Sequence, residues 1–133
     1  MRENIGLYRG KRKDNGEWVE GCAMIPLPQF GGETCIIAQD APFHSFCYEV
    51  IPETVGEYTG LPDKNGKKIF EGDIIRKGFE CFVVKWNNNQ CRWGLFDKHD
   101  FEVSGFNEYT KNYLEVIGNC IDNPELLQNT ANC

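Results

Sequence analysis

Two Asn-Gly dipeptides, Asn15-Gly16 and Asn65-Gly66, each interrupt short runs of β-branched and aromatic residues. Asn-Gly readily takes the positive φ angles of a tight hairpin, so each dipeptide implies a reversal between two antiparallel strands. Tyr8-x-Gly10 precedes the first dipeptide and Tyr58-x-Gly60 the second at an offset of 50, and Glu20-Gly21 and Glu71-Gly72 follow with one extra residue. A shared turn type accounts for this echo, and a duplication would add no function of its own.

The remaining periodicity is also two-fold rather than helical. Leu7-Tyr8-Arg9 and Glu17-Trp18-Val19 form the first predicted hairpin. Cys22 to Ile25 and Thr34 to Ala38 flank two prolines and two glycines, which favour a second hairpin with a longer loop. Phe46 to Val50 reads as a strand ended by Pro52. Ile74-Ile75-Arg76 turns through Lys77-Gly78 into the strand Phe79 to Trp86, and Gln90 to Phe96 returns with Cys91, Trp93 and Leu95 on one face. Tyr113 to Cys120 is apolar at odd and even positions, as in a strand covered on both sides. Asn123-Pro124-Glu125 opens a short helix, and residues 128–133 form a polar tail. The reading is a mainly β protein.

With 133 residues, 41% hydrophobic and 26% charged, the chain fits a soluble globular protein of one domain or two small ones. Its net charge of −6 argues against a generic phosphate-coating nucleic-acid binder. The charge is uneven, however. Residues 21–60 hold five acids and no Lys or Arg, residues 61–98 hold eight bases and five acids, and residues 99–133 hold one base and six acids. The basic run Arg9 to Lys13 is largely cancelled by Asp14, Glu17 and Glu20. Met1 to Gly6 has no apolar run of a secretory leader, and no stretch reaches the roughly 20 apolar residues of a spanning helix. The expectation is a cytoplasmic, reducing location, in which the seven cysteines stay free and serve mostly as small buried hydrophobes.

Candidate chemistry is sparse. Glu71 and Asp73 would share one face of a strand as paired carboxylates or hard-cation ligands, but a turn-capping Asp73 beside a solvated Glu71 is the favoured reading. Cys22, Cys35, His44 and Cys47 are zinc-type ligands, yet they lack two close pairs, and incidental thiols are favoured over a metal centre. No local signature marks a Cys-His nucleophile, and His99 reads as a surface residue. No catalytic residue, cofactor or metal is assigned. The stronger candidate is a binding face: Lys64, Lys67, Lys68, Arg76, Lys77, Lys85 and Arg92, interleaved with Trp86 and Trp93. Rings and cations together suit single-stranded nucleic acid, and they equally suit a protein groove.

From Ile51 onward the sequence resembles the YopX family of bacteriophage and prophage proteins, through Ile51 to Leu61, Asp63-Lys64-Asn65-Gly66, Ile69 to Ile74, and Glu115 to Asn119 followed by Asn123 to Leu127. The opening hairpin, Tyr8 to Gly21, also resembles the start of that family. The resemblance implies N-terminal antiparallel hairpins packed on a C-terminal SH3-like small β-barrel, in a phage or prophage protein without an established activity. The chain then divides into a β portion at 1–56, a barrel at 57–127 and a tail at 128–133. Gly60, Asn65, Gly66, Glu71, Gly72 and Asp73 are expected as structural motif residues, with Ile74 and Phe70 pointing inward. The expected activity is non-enzymatic binding of a host or phage protein, with nucleic acid through residues 64–92 as the alternative and a carboxylate or thiol enzyme third. Membrane association is not expected, and antiparallel edges are compatible with a homo-oligomer.

Overall fold

The computed structural model describes residues 7–24, 35–41, 44–107 and 111–128. They build two antiparallel sheets and, among the described residues, one short α-helix. The chain forms two compact units, Met1–Tyr58 and Thr59–Cys133. None of the helices among the described residues is long and apolar enough to cross a membrane.

In the first unit β1 (Leu7–Lys11) pairs with β2 (Trp18–Met24), β2 with β3 (Cys35–Ala41), and β3 with β4 (His44–Val50). The start of β5 (Gly56–Pro62) lies on the other side of β1, through Tyr8↔Glu57 and Arg9↔Gly56. Val19 and Val50 form a small core against Tyr8, Tyr48 and Val55. Thr54, in a 3-10 turn over Pro52–Thr54, fastens β1: its hydroxyl accepts from Lys11 N at 2.8 Å and donates to Ile51 O at 2.6 Å. The predicted first hairpin, the antiparallel pairing of the second and the strand before Pro52 are present, while the connection predicted between the strands of the second, residues 25–34, lies outside the described residues.

The second unit holds β6 (Lys68–Phe70), β7 (Asp73–Lys77), β8 (Glu80–Asn87), β9 (Arg92–Phe96), β10 (Glu102–Gly105), β11 (Glu115–Asn119) and α1 (Pro124–Gln128). Its five-stranded sheet has the order β10-β9-β8-β7-β11. The closed SH3-like barrel implied by the family resemblance is therefore not what the strands form: the sheet is open, with β10 and β11 as its outer strands. Each outer strand carries a β-bulge, between Glu102 and Ser104 in β10 and between Val116 and Gly118 in β11. A bulge slips the ladder by one residue and bends the strand. That slip also explains why β10 shows no clean two-fold alternation in the sequence.

Strand alternation divides this sheet into two faces. Ile75, Phe82, Val84 and Leu95 lie on one face and form the main core with Ile69, Phe106 and Leu114. Ile74 and Val83 are cross-strand partners on the other face and are also buried, while α1 packs along β8. Both Ile74 and Phe70 point inward as expected.

In both Asn-Gly turns the glycine alone takes a left-handed conformation, with φ of +72° at Gly16 and +83° at Gly66. Gly66 N donates to Asp63 O at 3.0 Å and Asp63 N to Lys67 O at 2.7 Å, a type I turn followed by the left-handed glycine. Gly72 has φ +89°, which frees its N to donate to Val84 O and its O to accept from Cys120 N. Cys91 differs from expectation. It ends the β8–β9 turn with φ +51° instead of sharing a strand face with Trp93 and Leu95.

The cysteines also require correction. Cys22, Cys47, Cys91 and Cys120 are free but exposed, while Cys81 is buried and disulfide-bonded. The exposed four fall on outward strand positions or in turns, which the alternating pattern alone did not resolve.

Candidate functional site

The two carboxylates differ in placement, Glu71 half-buried and Asp73 buried. Asp73 is 1% exposed, and its Oδ2 accepts from Phe70 N at 2.7 Å, closing the turn that carries Glu71 and Gly72. The zinc candidates are dispersed by the strand register. Cys35 pairs with Val50 and His44 with Ala41, so six strand residues, about 20 Å, separate the two positions. Cys22 and Cys47 lie on either side of Ala38, one strand apart from each other across it, and the side chains of Cys35 and His44 lie outside the described ones. Among the described residues no group of His, Cys, Asp and Glu could hold a metal ion.

A shallow open cleft of about 480 Å³ in the first unit is lined by Arg12, Lys13, Asp14, Cys47, Tyr48 and Glu49. Its charges are engaged with one another. Arg12 donates to both Asp14 oxygens at 2.9 and 2.6 Å and lies 4.3 Å from the Tyr48 ring, and Lys13 pairs with Glu49 at 3.1 Å. The guanidinium holds the Asp14 carboxyl below the usual carboxylate range, chiefly by its hydrogen bonds.

The predicted basic face splits in two. Trp86 and Trp93 are cross-strand partners, in edge contact with centroids 5.2 Å apart, on the face that carries Val84 and Leu95. Lys85 and Arg92 occupy the opposite face, as does Arg76, the partner of Cys81. Adjacent strand residues point to opposite faces, so these cations do not interleave with the tryptophans. Lys85 pairs with Asp100 at 2.6 Å, and Arg92 with Glu102 at 2.6 Å. Lys64 and Arg76 share Glu115. Lys68 is exposed on β6, Lys67 in the turn before it and Lys77 at the end of β7.

The Arg92–Glu102 pair rests on two glycines, Gly94 and Gly105, which are themselves cross-strand partners. A Cβ at Gly94 would overlap the Glu102 carboxylate, and one at Gly105 would lie 2.8 Å from Arg92 Nε. The hydrogen bond from Asn87, then that from Arg92, holds the Glu102 carboxyl below the usual range. A lowered folded-state value stabilises the fold above the ordinary carboxylate range, and that contribution is lost as pH falls through the lowered value. Gly94→Ala should therefore move the Glu102 titration back up toward the ordinary glutamate value, as followed by carboxyl 13C NMR. Identical midpoints in the two proteins would show that the glycine trough does not set the pair.

A surface that sequence reading missed lies at one end of the five-stranded sheet. The β7–β8 turn presents Phe79, 86% exposed, beyond the pair Lys77↔Glu80. Pairing of Glu115 with Arg76 carries the preceding Tyr113, 69% exposed, to the same turn. The register Val83↔Phe96 places the β9–β10 loop at that end as well, with Phe101 69% exposed. Asp97 orders the loop: its Oδ1 accepts from His99 N and Phe101 N at 2.9 and 3.0 Å. The β5–β6 turn reaches this end too, because Lys64 N donates to Leu114 O at 3.0 Å. Gly78-Phe79 in a turn is the sequence signal, but only the strand register brings it together with Phe101 and Tyr113.

Fold and site together define a small, mainly β protein of two antiparallel sheets with exposed aromatic side chains along one end of the second. The family model described as YopX protein matches residues 7–128, and the chain belongs to the YopX family. Its fold is similar to that in the crystal structure of protein EF1440 from Enterococcus faecalis, with a TM-score of 0.50 and 24% identity over 90% of this chain and 96% of that one. No curated protein matches the chain.

Proposed function

We propose that this chain is a non-enzymatic binding module, phage- or prophage-encoded and acting in the bacterial host cell, that recognises a protein partner. The observation that carries the reading is that Phe79, Phe101 and Tyr113 are three large side chains exposed along one end of the five-stranded sheet. Large exposed aromatic side chains are the usual anchors of a protein interface. The bulged outer strands favour recognition through this loop end over strand addition. A homo-oligomer using the same residues is an outcome the test separates.

The alternative, nucleic-acid binding through residues 64–92, has less support, because Lys85 and Arg92 are ion-paired and face away from Trp86 and Trp93. Two measurements decide. Partners crosslinked in the host cell should be retained by the parent chain and lost at least tenfold from a Phe79→Ser/Phe101→Ser/Tyr113→Ser chain whose amide spectrum shows the same fold. Labelled single-stranded DNA and RNA should show no binding at low salt, where phosphate contacts are strongest. Equal crosslinking by both chains, or tight salt-sensitive binding of either oligonucleotide, would overturn the reading.

A further inference from the structure

We infer that Asn15 is a site of spontaneous deamidation in this protein, and that Asp63 guards the chemically identical Asn65-Gly66 turn against the same reaction. Both dipeptides are exposed, and glycine has no side chain to hinder attack on the asparagine before it. The glycine N gives its proton to water and bonds to the asparagine Cγ, and Nδ2 takes a proton back and leaves as ammonia. Water then opens the resulting cyclic imide at either carbonyl, giving an aspartyl or an isoaspartyl residue. In total one water is consumed and one ammonia released, with no change of oxidation state.

The two turns differ in what holds the reacting atoms. Glu17 N donates to Asn15 Oδ1 at 3.0 Å. That bond draws the side-chain amide back over Gly16 and polarises the carbonyl that is attacked, as a backbone donor does for a developing oxyanion. Gly16 N itself is held by one neutral bond, to Arg12 O at 2.9 Å, in an exposed loop. At the second turn no donor among the described residues meets Asn65 Oδ1, and the main chain is fixed instead. Asp63 accepts from Asn65 N at 2.8 Å and Lys67 N at 2.9 Å through Oδ1, and from Gly66 N at 3.0 Å through its main-chain O. Its side chain is buried and bonded also to Val116 N. Bringing Gly66 N onto Asn65 Cγ means rotating the chain about Asn65 and breaking bonds to a buried charge. The same carboxylate opposes loss of the Gly66 proton, which would set a second negative charge beside the first. Conversion at Asn15 adds a negative charge to a chain already at −6. In the isoaspartyl form it also lengthens the main chain within the loop that Lys13 N to Glu49 O, at 3.0 Å, and the Arg12↔Val50 pair tie to the end of β4.

The test incubates the full chain at mildly alkaline pH and follows both asparagines by peptide mapping with mass spectrometry. The Asn15 peptide should gain one mass unit at least tenfold faster than the Asn65 peptide. In concentrated urea the two rates should converge, which assigns the difference to the fold rather than to the neighbouring residues. Asp63→Asn, and Asp63→Ala as the stronger perturbation, should speed conversion at Asn65 several-fold. Conversion at Asn15 should stay unchanged in both variants, which also reports that the first unit remains folded. Equal rates in the folded parent chain, faster conversion at Asn65, a ratio that persists in urea, or an Asn65 rate insensitive to both substitutions would each overturn the inference.

Discussion

Replacing Asp63 with alanine is expected to destabilise the protein by about 3 kcal/mol, a large share of the roughly 5–15 kcal/mol that holds a typical domain together. Asp63 is 4% exposed, and its carboxylate accepts three backbone hydrogen bonds: from Asn65 N at 2.8 Å and Lys67 N at 2.9 Å through Oδ1, and from Val116 N at 3.0 Å through Oδ2. One side chain therefore shapes the Asn65-Gly66 turn and fastens it to β11. Alanine leaves these donors without their charged acceptor, and each orphaned donor costs about 1 kcal/mol where water reaches it in part. Asp63→Asn keeps one acceptor oxygen but turns an NH₂ toward a backbone N–H, so an intermediate loss is expected. Urea unfolding measures the difference, and amide exchange at Asn65, Lys67 and Val116 should accelerate ahead of the rest of the sheet. A loss below about 0.5 kcal/mol for the alanine variant, the level of an ordinary surface change, would refute this role.

Leu114→Ala should cost about as much, roughly 2–5 kcal/mol, by a different mechanism. The side chain is fully buried in the main core with Ile69, Ile75, Phe82, Val84, Leu95 and Phe106, and it enters from the residue just before β11, an outer strand of the sheet. Truncation leaves a cavity between neighbours that belong to several strands and cannot all collapse into it. Its carbonyl meanwhile accepts from Lys64 N, next in the chain to Asp63. The two substitutions touch one fastening, so the double variant should lose less than the sum of the single losses. Strict additivity in urea unfolding would mean that the turn and the core hold β11 independently.

The parts of this fold that could be read from the sequence were those specified by local chemistry. Asn15-Gly16 and Asn65-Gly66 mark turns because glycine takes the left-handed conformation at little cost, and Gly72 does the same before Asp73. The Asn123-Pro124 helix start and the inward Ile74 follow from equally local rules. What escaped depends on distant pairing. Whether β10 meets β11 to close a barrel is set by strands that no short motif links, and the bulge at Val103 hides β10 from a search for alternation.

The predicted basic face divides for a reason already present in the sequence. Lys85 and Trp86 are neighbours in one strand, so alternation alone already sends them to opposite faces. The role of Asp63 is local as well: an aspartate two residues before an asparagine in a turn is placed to accept from the backbone. Phe79, Phe101 and Tyr113 come together only once the register of four strands is known.

The bulges in β10 and β11 also bear on how this protein can aggregate. A flat outer strand offers a row of unpaired N–H and C=O groups that an identical chain can copy, and the slip at Val103 and Ile117 interrupts that row on both sides of the sheet. Growth of fibrils from the edges of the native five-stranded sheet is therefore disfavoured, and the strongly apolar β8 is kept from templating because it lies between β7 and β9. Exposure of β8 requires the core around Leu114 to open first. The rate of amyloid formation should then follow the unfolding equilibrium, rising in Leu114→Ala even under conditions where the native surface is unchanged.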